Sequence, residues 1–238
     1  MKNVLGLTTI DKGSGETVLF LHGYLSSKES FIRQIDYFSK RYRVIAPDLS
    51  GFGESEPLKY PYSLNDYLLK VRLLLDELGV KSCHVIAHSF GARIAIRLAI
   101  VDDRVKRLVI TGGAGLKPRR TIKYYSKVYL YKLLKFLKLK RLTKNFGSRD
   151  YKSLSPIMKE SFVKIVNEHL DKEVRLIQNE TLVIHGEKDT ETPLYMAKKF
   201  KKLIKNSRLK VLKGCSHFAF VDDSFDFNLL VDSFLSGE

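Results

Sequence analysis

Short, largely apolar runs recur along the chain, and each closes on turn-forming or polar residues. Residues 17–21 lead into His22-Gly23, residues 42–46 into Pro47-Asp48, and residues 83–87 into His88-Ser89. Residues 105–110 end at Thr111-Gly112-Gly113, residues 181–184 at His185-Gly186, and residues 209–212 at Lys213-Gly214. Runs this short, with little polar alternation, predict strands buried on both faces, as in a parallel sheet. Helical patterns lie between them. Ser63-Leu64-Asn65-Asp66 predicts a cap for a helix running to about Leu78, where Gly79 stops it. A second helix follows Ser89 to about Val101, a third begins near Pro193, and a last covers about 224–235. Strand alternating with helix predicts a doubly wound α/β domain, in which ligands bind beyond the carboxyl ends of the strands.

The alternation breaks once. Between Gly115 and about Asn179 there is no strand-like run. Tyr125, Val128, Tyr129, Leu133, Phe136 and Leu137 recur at helical spacing, as do Phe162, Ile165, Val166, His169 and Leu170. The expected organisation is a core of residues 1–114 and 180–238 with a helical cap, 115–179, inserted into it.

The 238 residues suit a single α/β domain, and 44% hydrophobic content is enough for its core. The opening residues are too polar for a secretory leader, and no window reaches 18 uninterrupted apolar residues. A soluble cytoplasmic protein is expected. Cys83 and Cys215 lie in or beside apolar runs and are expected to be buried thiols.

Charge is regional. Residues 117–152 hold thirteen Lys and Arg against one acid, Asp150, so +12 of the net +16 resides there. Three readings follow: a cap whose lysines lie in water, a contact with an anionic membrane or lipid surface, or nucleic acid binding. Tyr124, Tyr125, Tyr129 and Tyr131, interleaved with Leu130, Leu133, Leu134, Leu137 and lysines, suit an interfacial helix. No recognised nucleic-acid module accompanies the basic stripe.

Ala87-His88-Ser89-Phe90-Gly91 has the small-x-Ser-x-Gly form at a strand-to-helix junction. A nucleophilic serine needs a strained turn that lifts its Oγ above the sheet, with small neighbours that let strand and helix approach. It also needs a base, oriented by an acid, in the order Ser, Asp or Glu, His. An acid occurs in Gly186-Glu187-Lys188-Asp189-Thr190-Glu191-Thr192-Pro193, and a histidine in Gly214-Cys215-Ser216-His217. Both loops follow expected strands.

With these parts in place the chain resembles the α/β-hydrolase superfamily over nearly its whole length. His22-Gly23-Tyr24 resembles the oxyanion loop, and Asp48 to Ser55 resembles the loop after the next strand. The resemblance implies an α/β-hydrolase fold with Ser89 as nucleophile, His217 as general base and Asp189 as its orienting acid. The backbone N–H groups of Tyr24 and Phe90 would form the oxyanion hole. Ala87 stands where the family usually has glycine. Glu187 and Glu191 are rival acids in the same loop, and the Gly-x-x-Asp pattern favours Asp189.

The remaining polar residues have plainer readings. His88, next to Ser89, is expected on the opposite side of the turn, while His22 and His185 are expected to brace loops. Asp48 reads as the stabiliser of a turn. A metal site from His22, His88 and His185 lacks ligand spacing, so neither a metal nor another cofactor is expected. Arg93 resembles a substrate-carboxylate arginine in menaquinone-pathway lyases of this superfamily, or else packs beneath the cap or pairs with an acid. A serine rather than an aspartate nucleophile points away from haloalkane and epoxide chemistry.

Hydrolysis of a small carboxylic ester through an acyl-serine is the expected activity. The same triad would serve a carbon–carbon bond hydrolase, a thioesterase or a lyase. A catalytically silent small-molecule binder would have no need of all three residues.

Overall fold

Strand β3 (Thr17–Leu21) is buried along its whole length, and its side chains alternate between two cores. Leu19 and Leu21 join one apolar cluster, Val18 and Phe20 the other. Two-sided burial is why the run shows no polar alternation. Each fully buried aliphatic side chain contributes about 1.5–3 kcal/mol through water removal.

The computed structural model describes residues 1–119 and 154–237 and places β3 inside an eight-stranded sheet. The other strands are β1 (Lys2–Val4), β2 (Leu7–Lys12), β4 (Arg43–Pro47), β5 (Cys83–His88), β6 (Val105–Thr111), β7 (Glu180–Gly186) and β8 (Ser207–Leu212). Their order across the sheet is β1-β2-β4-β3-β5-β6-β7-β8. From β4 to β8 every pairing is parallel, and only the β1–β2 and β2–β4 pairings are antiparallel. All six expected strands are present. The β1–β2 hairpin was not foreseen: Thr8, Thr9 and Asp11 interrupt the apolar pattern, and one face of β2 alone is buried, through Leu7 and Thr9.

The helices are α1 (Ile32–Phe38), α2 (Leu64–Glu77), α3 (Phe90–Val101), α4 (Pro156–Asn167), α5 (Leu194–Leu203), α6 (Ala219–Asp222) and α7 (Ser224–Ser236). The cap on α2 is a reciprocal box: Ser63 Oγ accepts from the Asp66 N–H, and Asp66 Oδ2 accepts from the Ser63 N–H at 2.7 Å. Gly79, at φ 65°, ends the segment in the left-handed region that glycine favours. Pro193 sits one position earlier than expected, as the residue before α5. Helices α2, α3, α4 and α5 pack on one core, and α1, α6 and α7 on the other.

Within 115–179, the described residues form α4 and a 3-10 turn at Glu173–Leu176, with no strand among them. Ser155 caps α4 by accepting from the Met158 N–H, and Pro156 opens its first turn. His169 and Leu170 were expected to extend this helix, but it ends before them at Glu168. The basic stretch beyond Arg119 and the tyrosine–leucine–lysine pattern of 124–137 lie outside the described residues. No described helix is long and apolar enough to cross a membrane.

Candidate active site

Ser89 joins β5 to α3 with φ 48° and ψ −109°, a conformation outside the regions a non-glycine residue ordinarily occupies. The turn is pinned on both sides. The Ser89 N–H donates to the Thr111 carbonyl at 3.1 Å, and its own carbonyl accepts from Ala92 and Ala114 at 3.1 and 3.2 Å. Gly91 is needed for close approach: a Cβ there would stand 2.2 Å from the Leu21 carbonyl oxygen. The Ser-x-Gly spacing thus lets the start of α3 rest on the end of β3. Ala87 is fully buried and fits in β5.

His217 and Asp189 reach the same end of the sheet from the loops after β8 and β7. His217 Nδ1 lies 2.8 Å from Asp189 Oδ2. Asp189 also accepts from the backbone N–H groups of Glu191 and Thr192, both at 2.9 Å, and from Thr192 Oγ1 at 2.8 Å. Burial alone would raise the Asp189 pKa, but the His217 and Thr192 hydrogen bonds outweigh it and hold it at about 2. An ionised carboxylate only accepts, so His217 Nδ1 carries the proton and Nε2 is left for the cavity. Asp222 steadies the histidine loop by accepting from the Ser216 N–H and Oγ, each at 2.6 Å.

The rival acids have other positions. Glu187 accepts from the Gly214 N–H at 2.9 Å and braces the histidine loop. Glu191 is exposed, with Oε2 3.5 Å from His217 Nε2. Of the three carboxylates, only Asp189 engages Nδ1.

Ser89 and His217 line one cavity of about 480 Å³ with Tyr24, Leu154, Phe162 and Glu191. That volume suits a small organic substrate. Tyr24 leaves the loop after β3, and its ring packs edge-on against Phe52, Phe90 and Phe162. Its hydroxyl donates to the Met158 carbonyl at 3.1 Å, tying α4 to the loop. Phe90 is the first residue of α3, where a backbone N–H has no partner within the helix. Leu154 and Phe162 were not singled out as cavity residues from sequence, because no local motif marks a wall contributed by a distant helix.

His88 corrects an expectation. It lines the same cavity as Ser89, and its ring lies 4.6 Å from that of His217. Its Nε2 is 3.1 Å from the His217 carbonyl. Burial, then the neighbouring His217, lowers its pKa to about 3, so the ring is neutral at working pH. The reason is packing: Phe218 lies tilted and Phe220 edge-on beside His88, their ring centroids 4.9 and 5.0 Å from its own.

His22 braces its loop. Its Nε2 accepts from the Leu49 N–H at 2.9 Å, and Nδ1 donates to the Gly23 carbonyl at 2.7 Å. His185 is buried beneath Asp189, with Nε2 3.6 Å from the carboxylate. Among the described residues no group of three His, Cys, Asp or Glu side chains could hold a metal ion. Asp48 is a turn anchor: it accepts from the Lys28 N–H and the Glu54 N–H and pairs with the buried Lys28 Nζ at 2.8 Å.

Arg93 does not line the cavity in the described residues. Its guanidinium donates to the carbonyls of Ile165 and Glu168, at 2.8 and 2.6 Å, at the end of α4. Burial lowers its pKa to about 10, so it remains charged at neutral pH. Of its expected placements, the structure has the packed one, against the end of α4.

A family model for the alpha/beta hydrolase fold matches residues 16–143 and 123–224. The chain is 31% identical to a 2-hydroxymuconate semialdehyde hydrolase of Pseudomonas putida, covering 95% of this chain and 89% of the relative. It is 26% identical to a 2-hydroxy-6-oxo-2,4-heptadienoate hydrolase of Pseudomonas putida, with 96% and 92% covered. Among solved structures, a meta-cleavage product hydrolase from Pseudomonas fluorescens IP01 aligns with TM-score 0.75 and 27% identity, over 97% of this chain and 94% of that one. With the sheet, the serine turn and these matches in agreement, the chain belongs to the α/β-hydrolase family and is a hydrolase.

Proposed function

We propose that the chain hydrolyses a carbon–carbon bond beside the ketone or aldehyde carbonyl of a small, conjugated 2-hydroxy-6-oxo acid. The observation that carries the chemistry is a cavity lined by both Ser89 and His217, with Asp189 hydrogen-bonded to the far side of the imidazole. The relatives support the bond class, since the two Pseudomonas putida hydrolases matched along nearly their whole length are named for such substrates. They favour carbon–carbon cleavage over the carboxylic-ester hydrolysis expected from sequence.

In this reading His217 Nε2 takes the Ser89 proton as Oγ adds to the carbonyl carbon. The Tyr24 and Phe90 N–H groups hold the resulting oxyanion. Collapse breaks the bond to the neighbouring carbon and leaves its electron pair there. In the keto tautomer of the substrate, that pair is delocalised through the adjoining double bond onto the 2-oxo group. His217 returns the proton to the departing carbon, and water then hydrolyses the acyl-serine. The net change adds the elements of water across one carbon–carbon bond.

The test measures loss of dienolate absorbance with 2-hydroxy-6-oxo-2,4-heptadienoate beside a p-nitrophenyl ester series. The expected kcat/KM is higher for the dienoate, and Ser89→Ala lowers turnover by about 10³-fold or more with an unchanged unfolding midpoint. Ester turnover well above dienoate turnover would return the assignment to a carboxylic-ester hydrolase.

A further inference from the structure

Helix α5 carries Tyr195, Lys198, Lys199 and Lys202 on one side, since residues three and four apart are neighbours on a helix surface. Facing them are Arg175, on the 3-10 turn Glu173–Leu176, and Arg119, and the six residues line a cleft of about 620 Å³. Five are cationic, and no described carboxylate lines the cleft. Lys199 is paired with Asp171 and donates to the Lys117 carbonyl at 2.9 Å. Among the described residues no carboxylate forms an ion pair with Arg119, Arg175, Lys198 or Lys202. Arg119 is positioned by Tyr195, whose hydroxyl accepts from the Arg119 N–H at 3.1 Å and whose ring centre lies 4.9 Å from the guanidinium carbon.

On a solvated lysine face such charges point apart into water. Here four cations without a carboxylate partner among the described residues line one concavity, where a shared counter-ion would relieve their repulsion. We propose that this cleft binds a small polyanion carrying two or three clustered phosphate groups. A terminal phosphate brings about −1.5 to −2 charges at neutral pH and an inner one about −1, so two or three linked groups carry about −3 to −5 against the four cations. The guanidinium groups offer planar forks to phosphate oxygens, and the lysines act as point charges around them. The cleft has room for a nucleotide-sized molecule, and its concavity favours that over a flat lipid surface.

Calorimetric titration of the full chain with inorganic tripolyphosphate at fixed ionic strength tests the site. Expected is saturable one-to-one binding, weakened about tenfold or more by Lys198→Glu with Lys202→Glu and unchanged by Lys81→Glu, on the loop before β5. Arg175→Ala provides a second, single substitution at an exposed side chain and is also expected to weaken binding. Thermal unfolding midpoints confirm that each variant folds. Undiminished binding in the Lys198/Lys202 and Arg175 variants would place the anion elsewhere and overturn the assignment. Equal heats from sulfate at matched ionic strength would reduce it to general charge attraction and overturn it as well. Binding to phosphatidylglycerol vesicles without binding to tripolyphosphate would make the surface a membrane contact, again against the proposal.

Discussion

Ser89 sits at φ 48° because hydrogen bonds to Thr111, Ala92 and Ala114 hold a turn that its own side chain does not favour. Strain of this kind costs on the order of 1–3 kcal/mol and survives where the surroundings fix it. Asp189 makes the complementary contribution. Its folded pKa of about 2 lies below the ordinary 3.8, so its ionised form stabilises the fold. That stability is present in full above pH 4 and is lost as pH falls through 2, amounting to about 2 kcal/mol. Asp189→Asn is therefore expected to unfold more easily at pH 7, with the difference from the parent shrinking toward pH 2 in denaturant titrations. The same substitution removes the acceptor that orients His217, and kcat is expected to fall by about 10²–10⁴-fold. Unchanged kcat would remove Asp189 from the proposed machinery.

At the scale of elements, α4 is held over the sheet by polar ties. Arg93 donates to Ile165 and Glu168, Tyr24 to Met158, and Ser161 Oγ to the Tyr62 carbonyl at 2.8 Å. At the end of α4 the Ile165 carbonyl accepts from the Glu168 N–H at 3.2 Å, and the buried guanidinium donates both to it and to the Glu168 carbonyl beyond the last turn. Arg93→Ala is expected to cost about 2–3 kcal/mol, because two carbonyls lose a charged donor. Its kinetic signature separates the two placements expected from sequence. Loss of a structural tie lowers the unfolding midpoint, whereas loss of a substrate-carboxylate contact would raise KM for the dienoate in an equally stable protein. The basic cleft has the same scale: its lysines share a face of α5, yet the facing arginines come from segments distant in sequence.

For the whole molecule, the parallel order of β3, β5, β6, β7 and β8 gathers loops from residues 22 to 217 along one edge of the sheet. The chain carries a net charge of +16, so an anion approaches a protein of opposite overall sign. For an anionic dienoate, kcat/KM is expected to fall several-fold from low salt to about 0.5 M, as screening shortens the reach of that attraction. A neutral p-nitrophenyl ester should show little change over the same salt range. Equal salt response for both would assign the effect to the protein rather than to steering.

Six strands, four principal helices, the serine turn and the acid and histidine loops were legible in the chain itself. Each depends on local rules: two-sided burial shapes a strand's composition, a capping box needs residues three apart, and the serine turn needs glycine at a fixed offset. The β1–β2 hairpin was hidden because its turn uses Leu5 at φ 53° before Gly6, a conformation leucine does not advertise. What required tertiary structure was the partnership of side chains. Asp189, favoured already by the Gly-x-x-Asp pattern, meets His217 Nδ1 while Glu187 and Glu191 do not, His88 lies tilted beside that imidazole, and Arg93 donates to the end of α4 instead of facing the cavity. Sequence pattern determines which elements form, because burial and backbone geometry act over a few residues. Side-chain partnership is decided only when loops separated by a hundred residues converge, because hydrogen bonds and desolvation act over a few ångströms in space.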